Sequence, residues 1–348
     1  MTVAVVDSGA DAGHPMLKGR VADAVDLTGT GARDCYGHGT GVAALIAGST
    51  LHDRRSPLGG VAPAARLLIV KQQNGETDDR GGDRLPAAIR RAADLGADVI
   101  NVSIRTADAP ALRRAVDYAL AKNAVVVAAA GNVDRPGGSE GPAYPASYPG
   151  VLSVGSLTAD GTRDPSSSVR SRVDVGAPGK DVPIAWPGGG WNPRATGTSF
   201  AAAFASGVAV LVRARHPELD AAQVVRRIVR TADGTAGPGT GAGMIDPLQA
   251  VTAVLPGEPA TGPVPSRPAP GPARFAAPAR PDARTRTVAL AVAGGALGLA
   301  GIAALAGVVV PRGRARGWRP GRVDLAVARP PAEPVADAAE GGTIGGRS

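Results

Sequence analysis

Between residue 2 and about residue 255, short β-branched runs with few polar interruptions alternate with longer stretches whose apolar residues recur every three or four positions. A strand buried on both faces reads as an unbroken apolar run, and the three-to-four spacing belongs to a helix with one buried stripe. The pattern predicts strands at 2–6, 66–71, 98–103, 124–130 and 150–156. It predicts crossover helices at 83–96 and 109–123. Leu85, Ile89, Ala92 and Ala93 share one face of the first, Gly96 serves as its C-terminal cap, and the second ends at Asn123. Two further helices are expected at 199–215 and 220–231, the latter starting from Asp220 as its N-cap. Strands alternating with helices in this way are the mark of an α/β fold, a mostly parallel sheet with helices on its faces.

The pattern changes after residue 255. Residues 256–286 hold nine prolines, with Gly, Ala and Arg as most of the rest, a composition that gives a stiff, extended spacer without a core. Residues 288–310 then carry no charge over 23 positions. As a helix they would span about 34 Å, enough for a hydrocarbon layer of about 30 Å. The alternative, a buried core helix, finds nothing behind the spacer to bury it. The expected organisation is a body at 1–255, a linker at 256–286, a single transmembrane helix at 287–310 and a basic tail at 311–348 that lacks a core of its own.

Charge refines this picture. The sequence is basic overall, with a formal net charge of +8. Residues 1–255 carry 26 Lys and Arg against 24 Asp and Glu, whereas 256–348 carry 12 against 6. The body is nearly neutral and the excess flanks the apolar segment, which suits a membrane surface; no nucleic-acid motif accompanies it. Three arginines (280, 284, 286) precede the span and six (312, 314, 316, 319, 322, 329) follow it. Positive charge stays on the cytoplasmic side, so the tail is expected inside and the body outside. Cys35 is the single cysteine, so no disulfide can close within this sequence, and the opening run at Met1 is not a signal peptide.

Four short segments carry the candidate chemistry. Asp7 ends the first strand in "VVDSG", where open α/β sheets gather ligands; a turn aspartate is the alternative. His38 lies between two glycines at the start of an apolar helix, whereas His14, His52 and His216 sit in ordinary structural contexts. Asn132 follows the strand "AVVVAAAG", either as a turn former or as an amide donor to a developing oxyanion. Ser199 opens the helix in "GTSFAAAFASGV", either as a capping hydroxyl or as a nucleophile, and a nucleophile needs a base and an orienting group. The four occur in the chain order Asp, His, Asn, Ser, and Asp…His…Ser is the subtilisin order among the three unrelated arrangements of the Ser-His-Asp triad.

Taken together, "VVDSG", "GHGTGVAALIAG", "AAAGN" and "GTSFAAAFASGV" resemble the subtilisin family of serine proteases over residues 1 to about 250. The cysteine in "DCYGHGT", the proline spacer and the C-terminal apolar segment make the chain similar to mycosins, the membrane-anchored subtilases of type VII secretion systems. The resemblance implies a three-layer fold around a mostly parallel sheet. It implies catalytic roles for Asp7, His38 and Ser199, with Asn132 and the Ser199 N–H as oxyanion donors. It also implies that a peptide substrate lies as a strand between Val102, Ser103, Ile104 and Arg105 on one side and Ala129, Ala130 and Gly131 on the other. No cofactor and no metal are expected. A type VII membrane complex is the implied partner, and a scaffolding role within that complex is the alternative to proteolysis. A lipase or esterase is disfavoured, since no G-x-S-x-G elbow surrounds Ser199.

Departures from the family pattern matter as well. Ala203 stands where the family commonly has proline. Arg105 stands where it commonly has glycine, so a long cation is expected to narrow the cleft, to select acidic residues, or simply to face solvent. The family also implies a segment ahead of Asp7, and with it a disulfide partner for Cys35.

Overall fold

The computed structural model describes residues 1–51, 59–75, 81–133, 141–234, 236–259 and 283–317. The proline-rich spacer from residue 260, most of the C-terminal tail and His52 lie outside them. Two compact units divide the chain, Met1–Pro265 and Ser266–Ser348.

The first unit is built on seven strands: β1 (Thr2–Asp7), β2 (Val21–Asp26), β3 (Arg66–Lys71), β4 (Val99–Val102), β5 (Val125–Ala129), β6 (Leu152–Leu157) and β7 (Val175–Pro178). Their order across the sheet is β2-β3-β1-β4-β5-β6-β7, and every pairing is parallel. Side chains alternate across the pleat, so β1 sends Val3 and Val5 to one face and Ala4 and Val6 to the other, all fully buried. The first face packs on α1 (His38–Ala47), α4 (Thr198–Arg215), α5 (Ala221–Arg230) and α6 (Pro247–Thr252). The opposite face packs on α2 (Gly81–Asp94) and α3 (Pro110–Ala121), through Leu85, Ile89, Ala92, Leu112 and Val116. The result is the three-layer α/β arrangement expected.

Helix α4 is apolar on nearly every side because it lies in the middle of its layer, whereas α5 has one buried stripe through Val224 and Ile228. Gly96 and Asn123 adopt left-handed conformations after α2 and α3, φ 72° and 62°, as a C-terminal cap requires.

The sequence pattern misses four strands. β2 ("VADAVD") is an edge strand with polar residues, and β7 is only four residues long and contains Gly and Pro. The antiparallel hairpin of β8 (Val182–Trp186) and β9 (Gly190–Ala195) holds two prolines, which read as strand breakers but are tolerated in a two-stranded ribbon. The body also runs past residue 255, because the buried Arg227 guanidinium pairs with Glu258 and donates to the carbonyls of Ala250 and Ala253. In the second unit, α7 (Ala283–Ala315) is longer than the expected span, and residues 287–315 are long and apolar enough to cross a membrane.

Candidate active site

β1 is the point where strand order reverses, since β2 and β3 lie to one side of it and β4 to β7 to the other. The carboxyl ends of strands flanking such a reversal leave a crevice between diverging loops. Asp7 is the last residue of β1, Ser103 follows β4, Asn132 follows β5, and α1 and α4 start at the same end with His38 and Ser199 in their first turns. A cleft of about 590 Å³ opens there, lined by residues that include His38, Ser103, Asn132, Trp186 and Ser199.

Asp7 is fully buried, and both its carboxylate oxygens face His38 Nδ1, at 2.8 and 2.9 Å. Gly39 makes that approach possible: a methyl group on it would lie 2.2 Å from the Gly9 carbonyl oxygen and 3.1 Å from Asp7 Oδ1. The imidazole is flanked by aromatic rings, Tyr36 with centroids 6.2 Å away and Phe200 at 5.5 Å. The Ser8 N–H donates to Asp7 Oδ1 at 2.7 Å, fixing the carboxylate from behind.

The loop leading to His38 is organised by Asp34, a residue the sequence reading did not single out. Its buried carboxylate accepts from Ser8 Oγ at 3.0 Å, the N–H groups of Tyr36, Gly37 and Thr40 at 2.9, 2.8 and 2.9 Å, and Thr40 Oγ1 at 2.7 Å. Ser8 Oγ in turn accepts from the Gly39 N–H at 3.0 Å. One carboxylate thus joins the end of β1 to the start of α1. The available signal was an Asp shortly before a Gly–His helix start, since Asp readily accepts from the N–H groups of the turn it opens.

On the opposite wall, the Asn132 amide is oriented by Thr198. Asn132 Oδ1 accepts from the Thr198 N–H at 2.9 Å and from Thr198 Oγ1 at 3.0 Å, and Thr198 Oγ1 accepts from the Gly131 N–H at 3.2 Å. With its oxygen so engaged, Asn132 turns Nδ2 toward Gly197, whose missing side chain would lie 3.3 Å from it. The Ser199 hydroxyl donates to the Ser103 carbonyl at 3.3 Å, and Ser103 Oγ donates to the Ser199 carbonyl at 3.2 Å. Asn101 Nδ2 donates to Ser103 Oγ and Ser206 Oγ donates to Asn101 Oδ1, both at 2.9 Å, so a buried polar ladder registers α4 against β4. Buried polar groups must be paired, and here the pairing fixes the height of Ser199.

Of the expected substrate-contacting residues, Ser103, Ile104, Arg105, Ala129 and Gly131 line the cleft. Val102 and Ala130 do not: both are fully buried, Val102 among the side chains facing α2 and α3, and Ala130 with its N–H donated to the Val154 carbonyl. Arg105 is exposed on the cleft wall, its side chain against Gly131 and its Nη1 3.4 Å from the Asn132 carbonyl oxygen. Cys35 is exposed with a free thiol. His14 and His216 are buried structural residues whose Nε2 atoms donate to the carbonyls of Gly190 and Val251, at 3.1 and 2.9 Å.

Residues 1–250 match the Subtilase family. Mycosin-3 of Mycobacterium tuberculosis (strain ATCC 25618 / H37Rv) is 38% identical over 320 residues, covering 74% of this chain and 68% of its own length. The crystal structure of MycP1 with its N-terminal propeptide removed has a TM-score of 0.65 at 33% identity, covering 74% of this chain and 92% of that one. The structure of the MycP3 protease from the type VII (ESX-3) secretion system has a TM-score of 0.62 at 34% identity, over 73% of this chain and 83% of that one. The fold, the cleft and these likenesses agree: the chain belongs to the subtilase family, as a mycosin-like serine endopeptidase.

Proposed function

We propose that Ser199 is the nucleophile of a peptide-bond hydrolysis in which His38 is general base and then general acid, and Asp7 holds the imidazole. The observation that carries this reading is the pair of short contacts between His38 Nδ1 and the buried Asp7 carboxylate, in a cleft that Ser199 also lines. An acceptor on Nδ1 keeps the ring proton there and leaves Nε2 as the base. Ser199 Oγ adds to the scissile carbonyl carbon as its proton passes to Nε2, and the same proton goes to the departing amine when the C–N bond breaks. Water then repeats the sequence on the acyl ester and regenerates the hydroxyl. The Ser199 N–H in the first turn of α4, where the helix dipole favours negative charge, and Asn132 Nδ2, which faces Gly197 just before that turn, donate to the oxygen that becomes negative.

The strand edge at Ser103, Ile104 and Arg105 and the segment at Ala129 and Gly131 would hold the acyl side of the substrate as an added strand. The apolar helix at 287–315 supports a single membrane anchor, and the basic residues after it support an extracytoplasmic body with a cytoplasmic tail. The mycosin likeness supports work beside a type VII secretion complex. The test is labelling of the full chain by a fluorophosphonate probe. Wild-type protein is expected to be labelled and Ser199→Ala protein not at all; labelling that survives the substitution removes Ser199 from the role.

A further inference from the structure

Only 3% of the residues are aromatic, and the sequence holds three tryptophans. Two of them, Trp186 and Trp191, lie on the β8–β9 hairpin, each 38% exposed. Leaving a large apolar ring in water forfeits much of the stabilisation its burial would give, so a half-exposed indole in a functional cleft is a candidate contact surface. Trp191 is accounted for by His14, which meets it edge-on with centroids 5.5 Å apart and anchors the hairpin through the Gly190 carbonyl. Trp186 instead lines the cleft together with His38 and Ser199.

The indole is fixed in place. Ile184 and Trp186 lie two residues apart on β8 and so share one face. Gly37 and Gly41 lie four apart at the start of α1 and also share a face. The two pairs interlock: a methyl group on Gly37 would come within 2.7 Å of the Trp186 ring, and one on Gly41 within 2.6 Å of Ile184 Cδ1. Gly37 also has φ 98°, which disfavours any side chain there. A second tether ties the hairpin turn to the loop after β1, where the Gly188 N–H donates to Asp11 Oδ2 at 2.7 Å. The platform is therefore held rigidly against the helix that carries His38.

Its side of the cleft follows from the reaction. The imidazole delivers its proton to the departing nitrogen, so the leaving chain passes on the His38 flank, away from the strand edge at residues 103–105. Trp186 packs on Gly37, the neighbour of His38. We infer that Trp186 is a specificity-determining residue for the leaving-group side, a flat apolar platform that selects an aromatic or large aliphatic residue immediately after the scissile bond. This inference rests on the assignment of Ser199 as nucleophile.

Partitioning of the acyl-enzyme tests it. A short peptide ester acylates Ser199, and the ester intermediate is then attacked either by water or by the α-amine of an added amino-acid amide. In the second case a new C–N bond forms, the Ser199 ester bond breaks, and the amine proton passes through His38 to the serine oxygen. The ratio of peptide product to acid product reports binding on the leaving side alone, independently of how fast the ester acylates. Wild-type protein is expected to favour phenylalaninamide over glycinamide by roughly three- to tenfold, the scale of one aromatic contact. Trp186→Ala should bring the two amides to parity and Trp186→Phe should keep most of the preference. Equal partitioning by the wild type, an undiminished preference in Trp186→Ala, or its loss in Trp186→Phe would each overturn the inference. If the ester forms no acyl-enzyme on Ser199, the nucleophile assignment falls and this one with it; an acyl-enzyme that forms but partitions without preference removes the platform alone. The wild-type measurement decides the matter even if the alanine variant does not fold.

Discussion

Asp34 sets the geometry of the loop that carries His38, because a single buried carboxylate receives five hydrogen bonds from three successive parts of the site. Removing it leaves buried donors on Ser8, Tyr36, Gly37 and Thr40 without an acceptor. Each such orphan costs about 1–3 kcal/mol, tempered by relaxation and entry of water. Asp34→Ala is therefore expected to lose about 3–5 kcal/mol of stability, read as a lower urea midpoint, with slower fluorophosphonate labelling in whatever protein remains folded. A midpoint equal to wild type would mean that the loop holds its shape without the carboxylate. The candidate triad residues were legible because they occur in short, small-residue segments of unusual composition. Thr198 and Asn101 were not, since their roles consist of hydrogen bonds to partners 66 and 105 positions away, to Asn132 and from Ser206; Asp34 bonds mostly within its own turn, and its only signal was its place ahead of a Gly–His helix start.

At the scale of elements, the legible parts were those whose stability is local. Helix α5 has a full capping box: Asp220 Oδ1 accepts from the Gln223 N–H at 2.7 Å and Gln223 Oε1 accepts from the Asp220 N–H at 2.8 Å. Asp220→Ala should lower stability by about 1 kcal/mol, which for a domain of this size is a fall in Tm of about 2–4 °C. No shift in a thermal scan would show that packing of the apolar stripe alone defines where α5 begins. The hairpin β8–β9 is the opposite case. Its strands hold prolines and exposed residues, and they pair where Ile184 and Trp186 fit two glycines of α1. That fit is a property of two distant segments, so no periodicity along the chain reports it. Asn123 shows both kinds of information: its left-handed cap was foreseeable, whereas its side-chain oxygen receiving the Ala221 N–H at 2.7 Å and its carbonyl receiving Arg213 Nη1 at 2.6 Å were not.

For the whole molecule, the sharp change of composition near residue 255 separates an α/β body from an apolar helix with basic flanks. A chain ending at Pro265 is expected to leave the membrane pellet for the supernatant and to keep fluorophosphonate labelling, because Glu258, the partner of Arg227, remains in it. The full chain should stay in the pellet after alkaline washing. Full-length protein released by that wash would rule out α7 as a span.

Sequence alone determined the α/β alternation, the membrane-length apolar segment and the identities of the residues with catalytic potential, because burial period, apolar length and functional-group chemistry are all written along one dimension. Tertiary structure decided which of them meet. It placed the end of β1 at the reversal of strand order, set His38 against Asp7, turned the Asn132 amide by way of Thr198, and packed a tryptophan on Gly37 in the cleft that His38 lines. Those outcomes depend on distances between residues far apart in the chain, and such distances exist only once the sheet has fixed the ends of its strands in space.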